Sequence, residues 1–265
     1  MDTGESAVQG DPLVRFYVEA LGCLAASGIP YLVGGTFAYA RYTRIDRDTK
    51  DLDVFLLPAD VDRTLALFAG AGFGVDVPFP HWLGKVFRGG HFLDLIFCAG
   101  NGVARVDEGW FDHAVIDEVL GTRVRLCPPE EMIWSKSFVQ ERERFDGADV
   151  IHLLREMGPT LDWPRLLARF GDHWPVLLSH LLLFRFVYPD RRHVIPSGVI
   201  HDLLARAADQ RSEPDNRLCL GTLLSREQYL YDLEQLGYVD ARVEPHGAMT
   251  PTETKIWTEA IEDKK

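Results

Sequence analysis

Residues 31–57 constrain the fold of this chain more than any other stretch. The apolar run Tyr31-Leu32-Val33 leads into Gly34-Gly35-Thr36. A helical pattern follows from Thr36 to about Tyr42, and a second apolar run, 52–57, opens beside Asp51 and Asp53. Strand side chains alternate between two faces. Asp51 and Asp53 therefore project from one face, while Leu52 and Val54 face a core. A third acid, Asp94, interrupts the apolar run Phe92-Leu93-Asp94-Leu95-Ile96-Phe97, where an isolated carboxylate is costly unless it is paired or bound to a cation.

The flanking sequence supplies the rest of an α+β pattern. Leu13, Phe16, Tyr17, Ala20, Leu21 and Leu24 recur at helical spacing, and Gly28 with Pro30 ends that helix. A helix starting at Asp60 or Asp62 runs through Ala69. Strands are predicted at 75–79, 83–87 and 92–98, the last two joined by Arg88-Gly89-Gly90-His91, and at 114–120 and 123–126 around Gly121-Thr122. Pro128-Pro129-Glu130-Glu131 reads as a helix start, because proline suits the first turn and acids suit the positive end of the helix dipole. That helix extends to about Glu143, and another covers 148–156.

Beyond Gly158-Pro159, helical periodicity dominates at 161–170, 174–188, 198–208 and 226–236. The prediction is a mixed β-sheet flanked by helices over 1–127, a helical domain over 128–240, and a loosely ordered tail over 241–265. In the tail, Ile256, Trp257 and Ile261 are the residues able to dock. The most apolar segment, 175–187, is interrupted by Ser179, His180 and Arg185 and reads as a buried helix. No apolar run reaches the roughly 18 residues of a membrane span.

Charge and composition narrow the function classes. The net charge of −12 disfavours broad nucleic-acid binding, which relies on Lys and Arg neutralising phosphates, and suits a cationic small-molecule substrate. The four cysteines are widely spaced with no Cys-x-x-Cys pair, so neither a zinc site nor a disulfide framework is indicated. His81, His91 and His113 lack ligand spacing, and Arg185, Arg191, Arg192 and His193 form a basic patch that could touch a nucleic-acid acceptor, although such a cluster is more often a solvated helix end. The N-terminus has neither the basic start nor the apolar stretch of a signal peptide, which predicts a cytoplasmic protein.

Two carboxylates on one strand face suit one or two magnesium ions, and a third can orient the second ion or accept a proton. Gly34 and Gly35 allow close backbone approach, and Thr36 opens a helix whose positive end can meet phosphate. Lys50 either contacts phosphate or is solvated.

With these residues in this order, the chain resembles the nucleotidyltransferase superfamily, the DNA polymerase beta-like fold. The resemblance implies that Gly34, Gly35 and Thr36 form the phosphate turn, that Asp51 and Asp53 are the metal pair, and that Asp94 is the third acid. Pro129-Glu130-Glu131-Met132-Ile133-Trp134-Ser135-Lys136 and the following Arg144–Leu154 segment are similar to a subgroup that includes abortive-infection-type nucleotidyltransferase toxins. That likeness implies triphosphate contact by Lys136 and a pocket built with Arg144, Asp146 and Asp149. For Asp149, a helix cap or a salt bridge stays an equal alternative.

The implied activity is Mg2+-dependent (or Mn2+-dependent) transfer of an NMP group from an NTP to an acceptor hydroxyl, with release of pyrophosphate. A small hydroxylated molecule, a tRNA end and a protein hydroxyl are all open as acceptor. The alternative is a catalytically silent nucleotide-binding or regulatory module, such as one partner of a two-protein system.

Overall fold

The computed structural model describes residues 11–49 and 51–260. Lys50, a candidate phosphate contact, lies outside the described residues. Two compact units share the chain. The first contains the residues up to Cys98 together with Arg105–Pro128; the second contains Ala99–Ala104 and the chain from Pro129 onward.

The first unit is a mixed sheet flanked by helices. Its seven strands lie in the order β3-β4-β5-β2-β1-β7-β6. They are β1 (Leu32–Val33), β2 (Asp53–Phe55), β3 (Gly74–Phe79), β4 (Leu83–Arg88), β5 (His91–Ile96), β6 (Val115–Val119) and β7 (Thr122–Leu126). β2 is central. It pairs antiparallel with β1 and parallel with β5. Leu52, Val54, Leu56, Leu93 and Leu95 are buried, so the sheet seals one face as the alternation predicts.

Helix α1 (Pro12–Ser27) starts where the Asp11 side chain accepts from the Leu13 amide, and it ends at left-handed Gly28. It packs on β5 and β7, with Phe16, Tyr17, Leu21 and Leu24 buried. Helix α2 (Gly35–Thr43) follows β1 directly, and α3 (Val61–Gly70) precedes β3. A short α4 (Glu108–Asp112) buries Trp110, whose ring lies 5.3 Å from that of Phe55.

The second unit is mostly helical: α5 (Pro129–Ser137), α6 (Gly147–Met157), α7 (Trp163–Phe170), α8 (Trp174–Val187), α9 (Ser197–Asp209), α10 (Leu230–Glu234) and α11 (Pro251–Glu259). Helix α5 stops at Ser137, short of the predicted Glu143. Beyond it, Gln140 bridges to Phe145 and its amide bonds to Leu224.

The 226–236 pattern yields a helix only at Leu230–Glu234. Before it, the ring of Tyr229 lies against Gly221, so that segment doubles back. Helix α8 is buried on one face alone: Leu177, Leu181 and Phe184 are covered, while Leu182, Leu183, Phe186 and Val187 are exposed. The polar segment from Ala241 carries α11, fixed by a reciprocal capping box between Thr250 and Glu253. Among the described residues, no helix is long and apolar enough to cross a membrane. All four cysteines are free thiols.

Candidate metal centre

The strand pairing brings the acids together. Asp53 on β2 stands directly beside Asp94 on parallel β5, so both carboxylates leave the same face. Asp51, two residues before Asp53, joins them. One oxygen from each of Asp51, Asp53 and Asp94 can be chosen so that all three lie within 4.8 Å of one another, on half-buried side chains. Three converging carboxylate oxygens form a hard, anionic donor set of the kind that magnesium or manganese takes.

The glycine turn closes over this cluster. The Gly34 amide donates to the Asp53 carbonyl at 2.9 Å, tying the start of α2 to β2. Gly35 is left-handed, with φ 53°. A Cβ at this position would sit 1.7 Å from Asp53 Oδ2. The backbone of Gly35 therefore lies directly against the carboxylate, with the first-turn amides of α2 next in the chain. Such amides have no carbonyl partner inside their helix and favour anions. Thr36, half-buried, is in that first turn.

A Gly35→Ala variant is expected to fold, at about 1–2 kcal/mol for the left-handed conformation. The methyl displaces the Asp53 side chain, so divalent-cation affinity should fall by about tenfold or more, judged by what outer-shell disruption alone does. Isothermal titration with Mn2+ checks this; wild-type affinity in the variant would show that Asp53 tolerates the shift.

Two residues outside the motif hold the acids in place. Lys85 on β4 stands opposite Asp94, and its Nζ reaches Asp94 Oδ1 at 2.5 Å. The same ammonium lies 4.4 Å from the centre of the Phe92 ring. Burial pushes the Asp94 carboxyl above the usual carboxylate range, and the Asp51 charge adds to this; Lys85 opposes both without overcoming them. Thr49 Oγ1 lies 2.8 Å from both the carbonyl oxygen and Oδ1 of Asp51. Lys85 was legible in the sequence. The two-residue turn Gly89-Gly90 fixes the β4–β5 register, and counting back equally from it pairs Lys85 with Asp94.

The remaining sequence candidates gather in the second unit. Lys136 Nζ lies 3.0 Å from Asp146 Oδ2 and 2.9 Å from Asp149 Oδ2. Arg144 grips Asp146 with two N–H donors, each at 2.9 Å. Burial alone would raise the Asp146 carboxyl, but Arg144 and Lys136 hold it below its ordinary value. Lys136, Arg144, Asp146 and Asp149 thus form one compact charge network. His91 packs against Phe16, and His113 Nδ1 meets the Gly109 carbonyl.

No protein-family model matches this chain, and no curated protein does. Solved structures with a similar fold include the lincosamide antibiotic adenylyltransferase LnuA with lincomycin bound, at 11% identity over 54% of this chain and 96% of that one, TM-score 0.39. Another is ANT(2″)-Ia in complex with adenylyl-2″-tobramycin, at 20% identity over 66% and 98%, TM-score 0.37. A third is an antigenic nucleotidyltransferase-like protein from Paracoccidioides brasiliensis, at 17% identity over 72% and 98%, TM-score 0.39.

Proposed function

We propose that this chain is a divalent-metal-dependent nucleotidyltransferase that moves an NMP group from an NTP to an acceptor hydroxyl. The observation that carries this reading is the convergence of Asp51, Asp53 and Asp94 beside the first turn of α2. Three half-buried carboxylates whose oxygens converge, one of them against Gly35 of the turn, make a donor set suited to a dication. A bound Mg2+ or Mn2+ supplies charge neutralisation and Lewis acidity at the attacked phosphorus.

The chain's own residues do the rest. Asp51 and Asp53 are the principal ligands, and the α2 amides of Gly35 and Thr36 cradle phosphate oxygens. Lys50 is the cationic contact assigned to the triphosphate. The acceptor oxygen forms a bond to the alpha-phosphorus, the bond to the bridging oxygen breaks, and pyrophosphate leaves with that electron pair. Asp94 orients a cation or takes the acceptor's proton.

The net charge of −12 favours a cationic hydroxylated small molecule over a tRNA end or another polyanion. One feature favours the second reading, a binding or regulatory module: Lys85 already neutralises Asp94, as a site without turnover could allow.

Titration of ATP, GTP, CTP and UTP, with and without Mg2+, against wild type and the Asp51→Asn/Asp53→Asn double variant tests the proposal. Mg2+-dependent binding that the variant loses, with pyrophosphate release in the presence of a hydroxylated cationic acceptor, is expected. Binding indifferent to Mg2+, without turnover, selects the regulatory module.

A further inference from the structure

Lys85 carries the row of triad side chains onto a third strand. Directly opposed residues of neighbouring strands project from the same face of a sheet. Lys85 on β4 is opposed to Asp94 on β5, and Asp94 to Asp53 on β2. An ammonium and two carboxylates thus stand side by side across three adjacent strands, with Asp51 converging on them.

The ammonium is held there from two sides. Its Nζ lies 2.5 Å from Asp94 Oδ1 and 4.4 Å from the centre of the Phe92 ring, two residues before Asp94 and on the same face of β5. The side chains of Lys85 and Asp94 are only 33% and 14% exposed, so solvent ions screen this pair less than they screen a surface pair. Three ionised carboxylates and one ammonium leave two negative charges, which one dication balances. Two dications that act together on a phosphoryl group lie about 3.5–4 Å apart, close enough to draw on the same carboxylates. In this chain one Asp94 oxygen is already committed to a fixed positive charge.

We propose that Lys85 stands in for a second dication: its ammonium is the resident counter-cation of the triad, and the site takes one divalent ion per chain instead of two. The inference rests on the metal-binding reading above and deepens it. It does not need turnover. A counter-cation and a residue that merely orients Asp94 differ in sign. An orienting donor raises metal affinity, so its loss weakens binding. A counter-cation repels the incoming ion, so its loss tightens binding and opens Asp94 to a second one.

Mn2+ titration of the full-length, nucleotide-free chain, followed by electron paramagnetic resonance, tests this on wild type, Lys85→Met and Lys85→Gln. Methionine keeps an apolar stem and removes the charge. Glutamine removes the charge but keeps a donor for Asp94, so it decides the matter where Lys85→Met fails to fold. Ions held by the Asp51→Asn/Asp53→Asn double variant are subtracted as surface binding. The expected result is one Mn2+ per wild-type chain. In the Lys85 variants the first Mn2+ should bind about tenfold or more tighter, the size of effect that one nearby charge has on proton binding. A second Mn2+ should then enter, close enough to spin-couple to the first. A count that stays at one in the variants, or affinity that is equal or weaker, overturns the role of Lys85 while leaving the metal centre intact. Two ions on the wild-type chain overturn it as well. Wild type that takes up no Mn2+ overturns the metal centre itself and Lys85's role with it.

Discussion

Asp53→Asn is expected to abolish Mg2+-dependent nucleotide binding and, with it, on the order of a thousandfold of transfer activity, without destabilising the metal-free chain. Two effects set the size and sign. A bound dication contributes several kcal/mol of charge stabilisation in phosphoryl chemistry, and each 1.36 kcal/mol is a factor of ten in rate. In the metal-free chain the same carboxylate stands in the repulsion of two others. Asp51, Asp53 and Asp94 offer oxygens within 4.8 Å of one another, and two full charges at that separation repel by about 3–4 kcal/mol at an effective dielectric of 20.

Partial exposure and the Lys85 ammonium screen most of that repulsion, leaving about 1 kcal/mol or less to be gained by removing one charge. Binding and stability should therefore move in opposite directions, as at sites where function is held against stability. Parallel nucleotide titration and thermal melting read both. An Asp53→Asn chain that melts well below wild type would mean that Asp53 holds the fold rather than a cation.

The sheet unit was largely legible in the sequence because its signals are local. Alternation around Asp51-Leu52-Asp53-Val54, the glycine turn after Val33 and the paired glycines at 89 and 90 mark strand, turn and register within a few residues of one another. The structure follows them, with strand ends shifted by one or two positions: β2 is Asp53–Phe55, where the sequence pattern extends to Leu57.

The helical unit was less legible, because its breaks come from distant contacts. Gln140 bonds to Leu224, Arg226 grips Glu141, and Asn101 Nδ2 donates to the Leu223 carbonyl at 2.7 Å. That last bond helps explain why residues 99–104 group with the second unit, although they lie between strands of the first. Nothing local in 99–104 signals it. Tyr17 shows a further limit. Its spacing within α1 marks it as a core residue, which it is, and only the packed neighbourhood reveals that its hydroxyl has no partner among the described residues.

A separate cluster of charges in the second unit, around Glu131, leads to the largest expected loss of stability. Glu131 on α5 is fully buried, with none of its surface exposed. Its Oε1 accepts from Arg165 and, at 3.0 Å, from Arg169, both on α7. Arg165 is shared with Glu130 Oε2 at 3.0 Å, and Glu130 Oε1 accepts from the Asp162 amide at 2.9 Å, just before α7. Helices α5 and α7 are thus joined by two arginines and two glutamates.

Burial pushes the Glu131 carboxyl above its ordinary range in spite of both arginines, so desolvation outweighs attraction at this site. That balance does not make the residue dispensable. Glu131→Ala leaves Arg165 with Glu130 alone and takes from Arg169 its carboxylate partner, and breaking a buried pair from one side costs about 3–5 kcal/mol. Glu131→Gln keeps the volume and an acceptor oxygen and removes the charge that burial disfavours. It should cost less, about 1.5–3 kcal/mol, the worth of hydrogen bonds to a charged group. Urea unfolding of the two variants and wild type measures the order. A Glu131→Ala loss below about 1 kcal/mol would mean that Arg165 and Arg169 turn to solvent once released, so that α5 and α7 are held by apolar packing alone.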